Sequence, residues 1–332
     1  MGPFDWLGLH LRLDGLSGPV ALLLVLRAVA VLVGAPRSAR SSAVLARELI
    51  TLALSLVACA AQTPVAALGL GLAAAIAGRR PLAMPWLVAH LPLMTLLLVR
   101  YGGPALPHLS PGAQHLVAAA GVTLSLYGAL SALAQTNLRR LVRSLAISHA
   151  GLILGGLSTG TVHAFAGASV ECLSSGLTLS GMAMTVAAVG ARTGTVDVRA
   201  LGGLVRGCGR MAAVFLLLGV GSVGFPATLA FVGEDLLLHG LIDAHPMLAA
   251  AMLFSSALGG IAMFRGWQRA FLGPSLDMWR AVPDLLDRER LALFGIAAAV
   301  VLAGIFPTRL VASESDAVGR ILHAAPTHEG AR

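Results

Sequence analysis

The sequence predicts an all-α, polytopic bundle of membrane-spanning helices with discontinuous segments, and three observations carry this. The chain is 57% hydrophobic and only 11% charged, whereas soluble domains carry about one quarter charged residues. Its apolar runs are separated by short arginine clusters and give about ten or eleven crossings at ~20 residues per ~30 Å of bilayer. One late run, Val223 to Gly240, places Gly224, Pro226, Gly233 and then the acidic pair Glu234–Asp235 in an otherwise apolar stretch. Proline removes a backbone donor and breaks a helix. A broken backbone survives at membrane depth only where protein or a water-filled cavity satisfies it. A carboxylate there costs roughly 2.5–3.5 kcal/mol on insertion scales and usually marks an ion or proton path. The alternative is a loop-to-helix junction with an interfacial Glu–Asp pair.

Taken in order, residues 1–17 form a mixed interfacial lead-in, and residues 18–34 the first apolar span, with Arg27 facing a neighbour or snorkelling. After the basic stretch Arg37–Arg47 come two short spans, 48–61 and 64–78, separated by Gln62-Thr-Pro64. The next span, 84–100, contains His90 and Pro92. A Pro/Gly/His loop leads to span 113–135, which ends in Ala134-Gln-Thr-Asn-Leu-Arg-Arg140. Span 141–159 carries Ser148-His149, and span 163–191 has Glu171 near its middle. After the polar loop Arg192–Arg210, runs 211–224 and 228–242 flank Pro226, and spans 246–264 and 291–306 follow. The tail from Pro307 is polar, with at most one short amphipathic helix around 312–323. The domain reading is therefore 1–17 lead-in, 18–112 N-terminal helices, 113–306 conducting module and 307–332 tail. Arginine-rich loops follow the first, third, fifth and seventh spans, as one-sided loops should. The loop 265–290 joins that side only if 211–242 crosses once, or if another short run is not a crossing.

All 23 basic residues are arginine. That excludes a phosphate-loop lysine, a Schiff base and a lysine proton carrier, because arginine does not deprotonate in proteins. The net charge of +8 lies in loops, where it orients helices rather than binding nucleic acid. Cys59, Cys172 and Cys208 are far apart and suggest neither a disulfide framework nor a metal site. The N-terminus lacks the pattern of a cleaved leader. No dinucleotide fingerprint, iron–sulfur cysteine cluster or haem motif is present, so no cofactor and no redox catalysis by this chain alone are expected.

From about residue 123 the motifs run Tyr127-Gly-Ala-Leu, Ala134-Gln-Thr-Asn-Leu-Arg-Arg140, Ile147-Ser-His-Ala-Gly151, Ser174-Ser-Gly-Leu177 and Asp197-Val-Arg-Ala-Leu-Gly-Gly-Leu204. Gly224-Phe-Pro, Phe231-Val-Gly-Glu234 and Arg269-Ala-Phe-Leu-Gly-Pro274 follow. In this order they resemble the antiporter-like membrane subunits of respiratory complex I, of the NADH-quinone oxidoreductase chain M/chain 4 type. Subunits of Mrp cation/proton antiporters and membrane-bound hydrogenases belong to the same family. Leu11-Arg-Leu-Asp14-Gly-Leu-Ser17 is similar to that family's lead-in to its third helix, and the first two helices have no counterpart here.

The resemblance implies a subunit of a multi-subunit complex in the bacterial inner membrane, with proton translocation through a shortened channel and sodium as the alternative ion. Lipid and other membrane subunits would be its partners. A non-conducting structural subunit and a cation/proton antiporter subunit are the alternatives, and a small independent transporter is a third. The family's final glutamate falls on Glu234, its histidine on His149 and a lysine on Arg139, with Asn137 in place of the preceding aspartate. Another family histidine falls on Ser175, the central lysine near Pro92, and the Trp-Glu of the fifth helix and the sixth-helix signature are absent. Glu171, four residues before Ser175 and on the same helix face, is read as standing in for the missing histidine, or else as pairing with an arginine. Asp235 and His239 would extend the path to the surface or form a solvated helix end, and Pro226 with Gly233 would shape the broken helix.

Overall fold

The computed structural model describes residues 11–34, 41–78, 86–274, 279 and 282–323. Among them are twelve α-helices and no strand: α1 (Ser17–Gly34), α2 (Ser42–Ala60), α3 (Pro64–Ala77), α4 (Trp86–Leu97), α5 (Pro111–Ala134) and α6 (Leu138–Leu157). The second half adds α7 (Val162–Thr193), α8 (Gly209–Ser222), α9 (Leu229–Ala244), α10 (Pro246–Phe271), α11 (Asp287–Ile305) and α12 (Thr308–His323). Helices α1, α5, α7 and α10 are long and apolar enough to cross a membrane by themselves, whereas α3 and α8 are apolar but short. The lead-in 1–10 and the tail beyond 323 lie outside the described residues.

Helix α7 is the axle of the bundle. Every residue from Ala164 to Val189 is buried, and α1, α4, α6, α8, α9, α11 and α12 all pack on it. Several of its hydroxyls return to the preceding turn: Ser175 donates to the Glu171 carbonyl at 2.8 Å, Thr178 to Ser174 at 2.8 Å and Thr185 to Gly181 at 2.9 Å. This satisfies donors that would otherwise be stranded in an apolar interior. Small residues draw α5 and α6 together: a Cβ on Gly128 would meet the Ser144 carbonyl oxygen at 2.8 Å, and one on Gly151 the Gly121 oxygen at 2.6 Å. Close backbone approach of this kind is what holds helices where lipid offers no hydrophobic drive.

Loop contacts sort the helix ends. Leu138 donates its N–H to the Val196 carbonyl and Val198 to Thr136, while Gly203 donates to Leu272. Arg192 bonds Glu289, and the Asp284 carboxylate accepts the N–H groups of Arg210 and Met211. The α5–α6, α7–α8 and α10–α11 connections therefore share one end of the bundle, which carries Arg139, Arg140, Arg192, Arg199, Arg206 and Arg210. We call it the arginine end. At the other end Arg100 bonds Asp14 at 2.7 Å and Gln62 at 2.9 Å, and His115 meets His245. Because α8 begins at the arginine end and α9 finishes beside His245, the pair crosses once, as a single interrupted helix. The arginine asymmetry read from the sequence thereby holds through loop 265–290.

The interruption itself is backbone-specified. Gly224 lies at φ 65° and Ala227 at φ 70°, a left-handed conformation natural to glycine but costly for alanine. Pro226 stands between them. Arg27 does not snorkel: it is 3% exposed and donates to the Ala89 carbonyl at 2.7 Å. Glu48 is the acidic group that acts on it. The tail helix α12 is amphipathic, bends 77° from α11 and packs on α7. The three cysteines are buried free thiols.

Candidate functional site

Three titratable side chains from three helices converge beside the break. His149 stands on α6, in the second half of a helix whose start is capped by the Asn137 side chain, an oxygen that accepts from the N–H groups of Arg139 and Arg140. Asparagine here does the capping work of an aspartate. Glu171 comes from α7, is fully buried, and its Oε1 lies 2.7 Å from His149 Nδ1. Glu234 comes from the first turns of α9, where the Ser256 hydroxyl of α10 donates to both its oxygens, at 2.9 and 3.0 Å. One ligand atom from each of the three lies within 4.8 Å of the other two.

Packing enforces this convergence. Gly233 lets α9 approach α7 so closely that a Cβ on it would sit 2.7 Å from the Glu171 nitrogen and 2.8 Å from its Cα. Gly224, at the break, leaves room for the Glu234 carboxylate, which would lie 2.6 Å from any Cβ there. Glu171 Oε2 is buried and has no hydrogen-bond partner. An ionised carboxylate so placed is strongly penalised unless a proton or a cation compensates it. One position along the chain from His149 and Ser256, Ser148 and Ser255 join Ser125 in a buried hydroxyl group, with Ser125 Oγ 2.7 Å from Ser255 Oγ and 3.2 Å from Ser148 Oγ. A carboxyl, an imidazole and a second carboxyl within reach of one another can pass a proton, since each can bind and release one at modest cost. The same three atoms are also close enough to hold a small cation.

The other residues singled out from the sequence lie elsewhere. Arg139 is exposed at the arginine end. Ten residues separate it from His149, about 15 Å along the helix axis. Its guanidinium reaches Gly190 in the last turn of α7, where a cation complements the helix dipole. Asp235 and His239 sit 3.6 Å apart on the solvent- or lipid-facing side of α9, 56% and 73% exposed. The Glu171 carboxylate is paired with a histidine, not with an arginine. Sequence reading did not single out Ser256; a serine pair at 255–256 inside an apolar span was its only trace.

The pattern of the NADH:quinone oxidoreductase/Mrp antiporter transmembrane family matches residues 21–259. The chain belongs to this family. Subunit M of the NADH-quinone oxidoreductase of Escherichia coli K12 is 27% identical over 226 residues, which cover 68% of this chain and 44% of the relative. The subunit M of Pseudomonas aeruginosa is 30% identical over 210 residues, 63% and 41% of the two chains. The antiporter-family match thus spans less than half the length of these curated relatives. Among solved structures, a chain of the archaeal membrane-bound sulfane sulfur reductase superposes with a TM-score of 0.75 at 18% identity, covering 89% of this chain and 65% of that one. Respiratory complex I from Thermus thermophilus gives 0.62 at 24%, covering 92% and 68%. The Mrp complex from Dietzia sp. gives 0.61 at 14%, covering 89% and 72%. These likenesses show the fold, a multi-pass helical membrane bundle.

Proposed function

We propose that the chain is a membrane subunit of a complex-I-like or Mrp-type assembly and moves protons through the Glu234–Glu171–His149 cluster. The observation that carries this is the buried carboxyl–imidazole–carboxyl group beside an interrupted helix, with Glu171 Oε2 left without a protein partner. In the relay, Glu234 exchanges a proton near the break, where Ser256 orients both its oxygens. Glu171 and His149 share the next position across their 2.7 Å contact. The serine group at 125, 148 and 255 offers hydroxyls that both accept and donate, as a proton wire requires. Arginine at 139 cannot release a proton, so its role is to orient α6 and α7.

The module 113–306 supplies all three relay residues, whereas α1 and α4 brace α7. Relatives are named as subunits of an NADH-quinone oxidoreductase, and this chain's partners are taken to be neighbouring membrane subunits. The arginine end would face the cytoplasm of a bacterial inner membrane by the positive-inside rule. Sodium is the alternative ion for the same donors. A purely structural subunit is favoured by the surface position of Arg139, away from the cluster. Proton flux into liposomes holding the purified assembly, native against Glu234→Gln, separates these readings. The relay predicts loss of flux with the assembly intact; equal flux makes the chain a scaffold.

A further inference from the structure

The end of the bundle opposite the arginine end carries a feature that the relay does not use. His115, in the first turns of α5, and His245, at the junction of α9 and α10, are 130 residues apart in sequence yet place their Nδ1 atoms 3.4 Å from each other. The rings are nearly perpendicular, at 79°, with centroids 4.8 Å apart. The two nitrogens thus face each other at an exposed position. A tetrahedral zinc ion with Zn–N bonds of about 2.0–2.1 Å holds two imidazole nitrogens about 3.3–3.4 Å apart. The observed 3.4 Å separation equals that bite. As a plain hydrogen bond the same contact is long.

We propose that His115 and His245 form a two-imidazole site for a borderline divalent metal ion such as zinc, its remaining positions filled by water or a small anion. Imidazole suits zinc, copper and nickel rather than magnesium or calcium. Bound there, the ion ties the start of α5 to the start of α10. Those helices carry Ser125 and Ser255, joined at 2.7 Å, and α10 also carries Ser256. The site would therefore fix the spacing of two helices that frame the relay, from the end of the bundle opposite the arginine loops.

The test is calorimetric titration of zinc chloride into the purified chain, carried without an oligohistidine tag, as native protein, His115→Ala, His245→Ala and the double variant. His163→Ala and His239→Ala, at the same end but outside the pair, serve as controls. We expect one ion per native chain, at least tenfold weaker binding in each single variant, none in the double variant and native behaviour in both controls. Zinc should raise the thermal midpoint of the native protein and not that of the double variant. Equal binding in native and double-variant protein, or no binding to native protein, overturns the site. None of these readouts depends on proton flux.

Discussion

Gly233→Ala tests how closely the relay depends on the approach of α9 to α7. The added Cβ would meet Glu171 at 2.8 Å from Cα and 3.0 Å from Cβ, whereas carbon atoms rest at about 3.5–4.0 Å. The backbone of Glu171 cannot rotate away, so α9 must retreat by about 0.7–1 Å. Overpacking of this kind costs about 1–3 kcal/mol, and alanine returns about 1 kcal/mol through its helix propensity. The net destabilisation is therefore modest, about 0–2 kcal/mol. Glu234 is the next residue and moves with the backbone, opening its distance to Glu171 and His149. Displacement of a reacting group by about 1 Å can cost on the order of 100-fold in rate. Proton flux in liposomes should fall far more than thermal stability does. Gly259→Ala, whose Cβ would come no closer than 3.6 Å to Leu145, is the matched control and should keep both. Native flux in Gly233→Ala at equal reconstitution would refute the argument that backbone contact sets the relay geometry.

Other expectations follow from single residues. Ala227→Gly removes a left-handed alanine and should leave thermal stability unchanged or raise it by about 1 kcal/mol; a clear loss would mean that the alanine side chain packs the break. Ser256→Ala leaves both oxygens of Glu234 without their donor, a loss of about 1–3 kcal/mol, and flux should drop while the assembly persists. Arg139→Gln should keep flux within about twofold, since the side chain lies at the arginine end; abolished flux would restore it to the path. Burial pushes the Asp14 carboxyl up, but the Ser17 N–H and hydroxyl, Arg100 and the Leu16 N–H outweigh this and hold it below the ordinary 3.8. Its contribution is therefore complete above that value and lost as pH falls through the lowered one. Thermal midpoints of native and Asp14→Asn protein should differ at neutral pH and converge in strong acid.

Most of the architecture was legible because lipid allows so few solutions. Apolar runs at 18–34, 113–135 and 163–191 became helices within two residues of those limits, the run 246–264 continued as helix to Phe271, and Gly224 with Pro226 announced the break. Whether 211–242 crossed once could not be read from hydropathy, since both halves are apolar. Two tertiary contacts decide it: Thr136–Leu138 with Val196–Val198 places the start of α8 at the arginine end, and His245 against His115 places the end of α9 at the other. The site was legible residue by residue but not as a group. Glu171 and Glu234 stood out because carboxylates are costly in apolar spans, and His149 because imidazole titrates near neutrality. Their convergence depends on Gly233 and on the packing of α6 against α7, which no spacing along the chain encodes. Arg139 drew attention through its place in a motif, yet a helix start on a loop puts it at the bundle end. Ser256 and the His115–His245 pair are products of helix packing alone.

Proton flux through the reconstituted assembly, native against Glu171→Gln, tests the central claim most directly, because Glu171 is the fully buried member that joins the other two. The relay predicts that the glutamine variant assembles and folds as the native protein does but loses flux, and that adding Glu234→Gln lowers it no further. Native flux in Glu171→Gln would contradict a path through the cluster.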